Sequence, residues 1–210
     1  MSLSDDAYRE LRNLIVTLQL APGAVVDEGE LQERLGIGRT PIREAIQHLE
    51  RDQLLRVAPR RGVFVTDVDP AQLGLLFETR AVVEPYAARL AADRGSDANW
   101  DEMALVLAKA GRVTDPSKLL ELDRRCHEIM WSAAQNPYLT NTVDNLYTHS
   151  ERVWHLYLRN VADMHSALDD HKAVLDALRA RRGDLVATLI EEHVRAFDRE
   201  IRAAGLRTSA

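Results

Sequence analysis

The sequence of 210 residues predicts a mainly α fold in two domains: a small helical module closed by a β-hairpin, then an all-α antiparallel helical bundle. Three observations support this prediction. The length suffices for two modest domains. The helical spacing of apolar residues is interrupted once, by strand-like residues 55–66, and then returns. A basic segment, residues 34–61, also ends just before this boundary in an otherwise acidic chain. We therefore place the domains at residues 1–68 and 69–210.

One segment of the chain is basic and the remainder is acidic. Residues 34–61 hold seven arginines and three acidic residues, a local balance of +4. Residues 67–210 hold 18 basic and 23 acidic residues, a balance of −5, and the whole chain carries a net charge of −6. This asymmetry is typical of a small nucleic-acid-binding module attached to a domain that does not contact nucleic acid.

The N-terminal module is predicted to contain three helices. The first covers residues 4–20 with Ser4 as its N-cap, because its apolar residues recur on one face. The second covers residues 28–35 and ends at Gly36, and the third covers residues 40–53. A third helix that follows the second after a short turn is the arrangement of a helix-turn-helix.

A β-hairpin is predicted to follow these helices. Residues 55–57 and 62–66 are rich in β-branched and apolar residues, and they flank the turn 59–61, Pro-Arg-Arg. Three helices followed by a basic hairpin make a winged helix-turn-helix. After this hairpin the sequence predicts about six helices. Their breaks are expected at 69–70, 95–96, 114–116, 136–137, near Asp163 and at 183–184.

The same sequence argues against export and against a membrane location. No apolar run approaches the roughly 18 residues that span a bilayer. The N-terminus lacks the basic and apolar regions of a signal peptide, and Cys126 is the single cysteine. We therefore expect a cytoplasmic protein without an intrachain disulfide.

The predicted third helix carries two arginines on its outer face. Arg39 and Arg43 are four residues apart and lie off the apolar stripe, so both point outward. A guanidinium can bond two acceptors of guanine or a phosphate, and Thr40 can offer its hydroxyl to a phosphate. Arg60 and Arg61 sit at the tip of the hairpin. A solvated basic face is the alternative for each arginine alone, but the order of elements favours DNA binding.

These segments resemble the GntR family of bacterial regulators. Residues 39–45, Arg-Thr-Pro-Ile-Arg-Glu-Ala, are similar to the motif that opens its recognition helix, and residues 59–65 are similar to its wing. Two positions depart from the family pattern, Gly38 in place of a hydroxyl residue and Gly29 in place of an arginine of some members, and each puts one phosphate contact in doubt. The resemblance implies DNA contacts through Arg39, Thr40, Arg43, Arg60, Arg61 and Gly62.

Four polar residues occupy helical positions where apolar residues are expected. Asp123 and His127 are four apart on one face, and His171 and His193 fall in the apolar stripes of two later helices. His171 lies 12 residues before Gly183 and His193 lies 10 after it. Both are thus roughly 15–18 Å from the turn of a helical hairpin, level with each other. The spacing fits a divalent-metal site, and hydrogen-bonded core histidines are the alternative.

The second domain resembles the FCD ligand-binding domain of the FadR subgroup of the GntR family. Residues 78–85 are similar to the start of that domain. The pair Asp123 and His127 and the pair His171 and His193 match its metal ligands in type and spacing. The resemblance implies a metal (zinc, nickel or manganese) bound by Asp123, His127, His171 and His193. It also implies a carboxylate-bearing metabolite as effector. Arg80 and Arg152 are candidates to clamp that carboxylate, and helix packing is the alternative role for each.

Together these expectations describe a homodimeric, ligand-responsive transcription repressor that binds a two-fold operator in double-stranded DNA. A metalloenzyme is the rival from another class, since three histidines and an aspartate can activate water. The basic wing and the outward arginines distinguish the two, because an enzyme has no use for them in this order. A chromatin-like protein without sequence preference is disfavoured by a pI near 5.7.

Overall fold

The computed structural model describes residues 2–157 and 164–208, which divide into two units. The first contains the described residues up to Asp69 together with Glu151–Leu156. The second contains Pro70–Ser150 and the described residues from Tyr157 onward. Within these residues the chain forms helices and one small antiparallel sheet, so the mainly α fold class is confirmed. None of the described helices is both long and apolar enough to cross a membrane.

The first unit is a winged helix-turn-helix. The sheet order is β1-β3-β2, and both pairings are antiparallel. One apolar core joins the helices to the sheet, with Leu11, Ile42 and Leu49 fully buried and Val65 nearly so. The elements are α1 (Leu3–Val16), β1 (Val25–Val26), α2 (Glu28–Leu35), α3 (Arg39–Arg51), β2 (Leu55–Ala58) and β3 (Gly62–Val65).

The ends of α1 differ from the prediction. Ser4 is not its N-cap; Ser2 is, because its hydroxyl accepts the Asp5 N–H at 3.2 Å while the Asp5 carboxylate accepts the Ser2 N–H at 2.9 Å. The helix also ends at Val16, four residues before Leu20. It stops there because Leu18 adopts a left-handed backbone conformation, with φ of 60°.

A short strand, β1, was not predicted. It has two residues, which pair with β3 in the register Val25↔Phe64 and Val26↔Val63. Two residues are too few to show a period of two in a sequence. The hairpin of β2 and β3 agrees with the prediction to within one residue at each end, and α2 ends at Gly36, whose φ of 65° suits glycine.

The second unit is a bundle of helices. Pairwise packing joins α4 to α6, α8 and α9, and α6 to α8, so these four helices share an interior. The break predicted near Asp163 lies outside the described residues. The helices are α4 (Pro70–Arg94), α5 (Asp97–Ala110), α6 (Pro116–Ala133), α7 (Pro137–Tyr157), α8 (Met164–Arg179) and α9 (Gly183–Thr208). Of α7, Glu151–Leu156 belong to the first unit.

Candidate metal centre and DNA-binding surface

The four predicted metal ligands converge in the interior of the second unit. Asp123 and His127 lie on successive turns of α6, His171 on α8 and His193 on α9. All four are buried. Each offers one ligand atom, and these atoms all lie within 4.8 Å of one another. We call this set of residues the Asp/His cluster.

Asp123 lies at the centre of the hydrogen bonding in the cluster. Its Oδ1 atom lies 2.8 Å from Nε2 of His171, and its Oδ2 atom accepts a hydrogen bond of 2.6 Å from the Tyr147 hydroxyl. Burial alone would raise the pKa of Asp123. The hydrogen bond from His171 and the electrostatic interaction with the neighbouring imidazoles outweigh burial and hold that pKa far below its usual range. The carboxylate is therefore ionised and ready to bind a cation.

Several imidazole nitrogens of the cluster are buried without a hydrogen-bond partner. They are both ring nitrogens of His127 and Nδ1 of His171. Burial lowers the pKa of His127 well below its ordinary value, so its ring is neutral. A neutral imidazole has one nitrogen with a free lone pair, and imidazoles with a carboxylate are common ligands of divalent transition metals. The residues of the cluster therefore fit a metal.

His193 has a carboxylate partner of its own. Its Nδ1 atom lies 3.4 Å from Oδ2 of Asp170, on α8. Burial would lower the pKa of His193, but this hydrogen bond and the charge of Asp123 raise it overall. A carboxylate on one ring nitrogen fixes the orientation of the ring and leaves the other nitrogen for a metal. Sequence reasoning missed Asp170, although it directly precedes His171.

Arg80 is buried on α4 next to the Asp/His cluster. Its guanidinium donates two hydrogen bonds to the carboxylate of Glu84, of which the one from Nη2 to Oε2 measures 3.2 Å. The same oxygen of Glu84 lies 3.8 Å from Nδ1 of His127. Burial lowers the pKa of Arg80, and Glu84 more than offsets this, so the guanidinium stays charged. Arg80 is thus linked to the cluster through Glu84, which the sequence did not single out.

Arg152 makes its hydrogen bonds within the first unit. It donates to the Thr66 hydroxyl at 3.0 Å and to the Thr66 carbonyl oxygen at 2.6 Å. Burial lowers the pKa of Arg152 to about 10. Two arginines were predicted to clamp a carboxylate. Among the described residues, contacts link Arg80 to the cluster, whereas the hydrogen bonds of Arg152 go to Thr66.

The start of α3 presents the predicted DNA-binding residues. Ile42 and the other apolar residues of the helix face the core, which leaves Arg39 and Arg43 exposed on the opposite side. Thr40 is exposed beside them. Gly38 is the N-cap and makes no side-chain hydrogen bond to the first turn. The N–H groups of this turn are therefore open to a phosphate oxygen.

Both exposed arginines share one acidic neighbour that sequence reasoning missed. Oε2 of Glu28, on α2, lies 2.9 Å from Nε of Arg43 and 3.9 Å from Nε of Arg39. Glu28 therefore neutralises part of the positive charge of these two guanidinium groups.

The tip of the hairpin is formed by exposed basic residues in an unusual backbone conformation. Arg60 has φ of 62° and Gly62 has φ of 112°, and the Arg61 N–H donates to the Ala58 carbonyl oxygen at 3.0 Å. Gly62 suits this place because side chains other than hydrogen disfavour that φ. Arg60 and Arg61 are both exposed. The predicted wing contacts thus lie together on a tight turn.

Comparison with family profiles divides the chain in two. The profile described as bacterial regulatory proteins, gntR family, matches residues 3–65. The profile of the FCD domain matches residues 75–196.

Curated relatives match over most of their length. The HTH-type transcriptional repressor RspR of Escherichia coli (strain K12) is 27% identical over 203 residues, covering 95% of this chain and 89% of that protein. An HTH-type transcriptional regulator from an unstable DNA locus of Streptomyces ambofaciens is 30% identical over 195 residues, covering 92% and 83%. The galactonate operon transcriptional repressor of Escherichia coli (strain K12) is 29% identical over 209 residues, covering 88% and 90%.

Solved structures share the fold. The structure of E. coli McbR/YncC superposes with a TM-score of 0.85 at 21% identity, covering 99% of both chains. A putative GntR transcriptional regulator from Rhodococcus sp. RHA1 gives a TM-score of 0.76 at 22% identity, covering 97% of this chain and 99% of that one.

Proposed function

Because this chain belongs to the GntR family of bacterial regulatory proteins and carries an FCD domain, we propose that it is a ligand-responsive, sequence-specific repressor. Its domains and relatives are those of transcription regulators and not of enzymes. In our proposal, residues 1–68 bind operator DNA in the cytoplasm, and residues 69–210 bind a divalent metal and a small organic acid. The buried Asp/His cluster is the observation that carries the ligand-binding part.

The DNA-binding part of the proposal assigns separate roles to α3 and the wing. The exposed Arg39 and Arg43 would enter the major groove with the start of α3, where a guanidinium can read guanine. Thr40 and the open N–H groups of the first turn would bind phosphate. The wing residues Arg60, Arg61 and Gly62 would contact the adjacent backbone or groove.

The ligand-binding part assigns the metal to Asp123, His127, His171 and His193, with zinc, nickel and manganese as candidates. A bound metal supplies positive charge for an oxygen of the effector. We assign the carboxylate clamp to Arg80, because Arg152 would first have to leave its two hydrogen bonds to Thr66. Arg80 in turn must share its guanidinium between Glu84 and the effector.

The proposed function can be tested by selecting operator sequences from random DNA with the purified, metal-loaded protein. Fluorescence anisotropy then compares the selected duplex with a scrambled one at the same salt concentration. One relative is named for a galactonate operon, so sugar acids are the first effectors to add. We expect preference for the selected duplex and a change in affinity with an effector. Equal affinity for both duplexes would contradict the proposal.

A homodimer follows from the proposal, since two copies of a helix-turn-helix match a two-fold operator. Three large apolar side chains on α4 are exposed: Leu75, Val82 and Tyr86. Their spacing of seven and four residues places them on one face of the helix. We assign this face to contact with a second copy of the chain, because an exposed apolar stripe is a liability unless it is covered.

We expect Val82→Asp to weaken the dimer by about tenfold or more, because it places an unpaired charge in an apolar contact. Sedimentation velocity over a range of micromolar concentrations would measure the shift toward monomer. Leu105→Asp on α5 is the matched control, since Leu105 is 73% exposed and Val82 is 71% exposed. A wild-type protein that sediments as a monomer, or two variants with equal effects, would contradict the assignment.

Glu28→Gln should raise the affinity for a scrambled duplex by up to about fivefold, the range of an exposed ion pair. The substitution releases Arg39 and Arg43 from a carboxylate and removes a negative charge next to the phosphates. Anisotropy at low salt would measure the change. Glu33→Gln serves as the control, because Glu33 is exposed on the same helix. A fall in affinity would show instead that Glu28 orients the arginines for DNA.

A further inference from the structure

The unpartnered polar atoms of the described residues are concentrated around the Asp/His cluster. Among the described residues, five buried side-chain nitrogens have no hydrogen-bond partner, and most of them lie at the cluster. An unmet buried polar group is costly, and a concentration of them indicates a missing ligand. The five atoms are Nδ1 and Nε2 of His127, Nε1 of Trp131, Nδ1 of His171 and Nε of Arg152, of which only the last lies in the first unit.

Trp131 adjoins the cluster on the same face of α6. It follows His127 by four residues and Asp123 by eight, which places the three side chains one turn apart along the helix. The centre of its ring system lies 5.3 Å from the imidazole of His127 and 5.3 Å from the ring of Tyr147. The side chain is 1% exposed, so water outside the protein does not reach it.

A metal can satisfy the imidazoles but not the indole. An imidazole offers a lone pair, whereas the indole Nε1–H is a donor only and cannot ligate a cation. It needs an acceptor, and the acceptor that proteins and metabolites most often supply is an oxygen. The ring of Tyr147 crosses the indole at an interplanar angle of 68°, but an aromatic face is a second-order acceptor. The unpartnered atoms of the site therefore fit an oxygen-bearing group in addition to a metal.

We propose that Trp131 is an effector-binding residue, whose indole Nε1–H donates a hydrogen bond to a carboxylate oxygen of the bound organic acid. This inference rests on the proposed function, which places the effector at the Asp/His cluster. Arg80 is the nearby cation, because its guanidinium carbon lies 5.2 Å from the centre of the Tyr147 ring, which in turn lies 5.3 Å from the indole. Because the indole cannot accept a hydrogen bond, the site discriminates against ligands that present an ammonium or methyl group at this position.

The test uses the full-length protein with isotope-labelled tryptophan, so that each indole N–H gives its own NMR signal. The signal missing from Trp131→Phe identifies Trp131. Zinc is added first, followed by acetate as the carboxylate probe. We expect acetate, added after zinc, to move the Trp131 indole proton downfield and to leave that of Trp100 in place. Trp100 lies on α5 and is also 1% exposed.

The variant gives a second measurement. Trp131→Phe keeps an aromatic ring and loses the N–H, so we expect unchanged zinc content but about tenfold weaker acetate binding, the effect of one lost hydrogen bond to a charged group. Trp100→Phe is the matched control and should bind acetate as the wild type does. Should Trp131→Phe fail to fold, Trp100→Phe and Trp154→Phe identify the other two indole signals, and the remaining wild-type signal is that of Trp131.

Each result bears on the inference separately from the proposed function. Zinc binding with an indole proton that acetate does not move would overturn the role of Trp131 and leave the metal site standing. An upfield indole proton in all states would assign the N–H to the ring of Tyr147 and would likewise overturn it. Failure to bind zinc would overturn the metal site of the proposed function, and this inference with it.

Discussion

Replacing His171 with alanine is expected to reduce bound divalent metal from about one equivalent per chain to less than about a tenth. His171 is the one ligand contributed by α8, and its Nε2 atom lies 2.8 Å from Asp123 Oδ1. The variant therefore loses a ligand and leaves the buried carboxylate of Asp123 without its imidazole partner. Elemental analysis after metal loading and dialysis would measure the loss. Thermal melts with and without chelator should separate in the wild type and coincide in the variant.

His155→Ala is the matched control for this experiment. His155 is half-buried on α7 and is not a member of the Asp/His cluster, so its loss should leave the metal content unchanged. His193→Ala should repeat the result of His171→Ala. A wild-type protein that holds less than about a tenth of an equivalent after metal loading, with a His193→Ala variant that melts at the wild-type temperature, would make the four residues an ordinary polar core.

The convergence of the Asp/His cluster could be predicted because two regular features of helices determine it. A spacing of four places Asp123 and His127 on one face, and nearly equal distances from Gly183 place His171 level with His193. The neighbours of the cluster could not be predicted in this way. Glu84 and Tyr147 reach it from α4 and α7, and which side of each helix faces the cluster depends on packing that the sequence does not state.

Contacts that depend on packing also decide two further features, the role of Trp131 and the start of α1. Nothing in the sequence distinguishes Trp131 from an ordinary core residue, and it is buried, but only the structure shows that its indole N–H has no hydrogen-bond partner. The start of α1 was predicted wrongly because Ser2 and Ser4 are both acceptable N-caps. The reciprocal hydrogen bonds between Ser2 and Asp5 decide between them. The sequence allows either serine as the N-cap, and the hydrogen bonds in the structure show that it is Ser2.

Arg43→Ala is expected to weaken binding to the selected operator by about 1–3 kcal/mol, which is roughly five- to 150-fold, if the guanidinium bonds a base edge. The reason is its position at the exposed start of α3, where its Nε atom lies 2.9 Å from Oε2 of Glu28 in the absence of DNA. Anisotropy with the selected and the scrambled duplex at matched salt would measure the loss. Arg34→Ala is the control, because Arg34 is an exposed arginine of the same module that donates to Gln19 at 2.7 Å.

The dependence on salt distinguishes a base contact from a phosphate contact by Arg43. A phosphate contact releases counterions, so its loss weakens both duplexes alike and lowers the slope of log affinity against log salt by about one. A base contact acts on the selected duplex alone and changes that slope little. Arg39 and Arg43 share the carboxylate of Glu28, so in Arg43→Ala this carboxylate pairs with Arg39 alone. The double variant with Glu28→Gln measures the coupling energy between Arg43 and Glu28. Unchanged affinity of Arg43→Ala for the selected duplex would remove Arg43 from the DNA-binding surface.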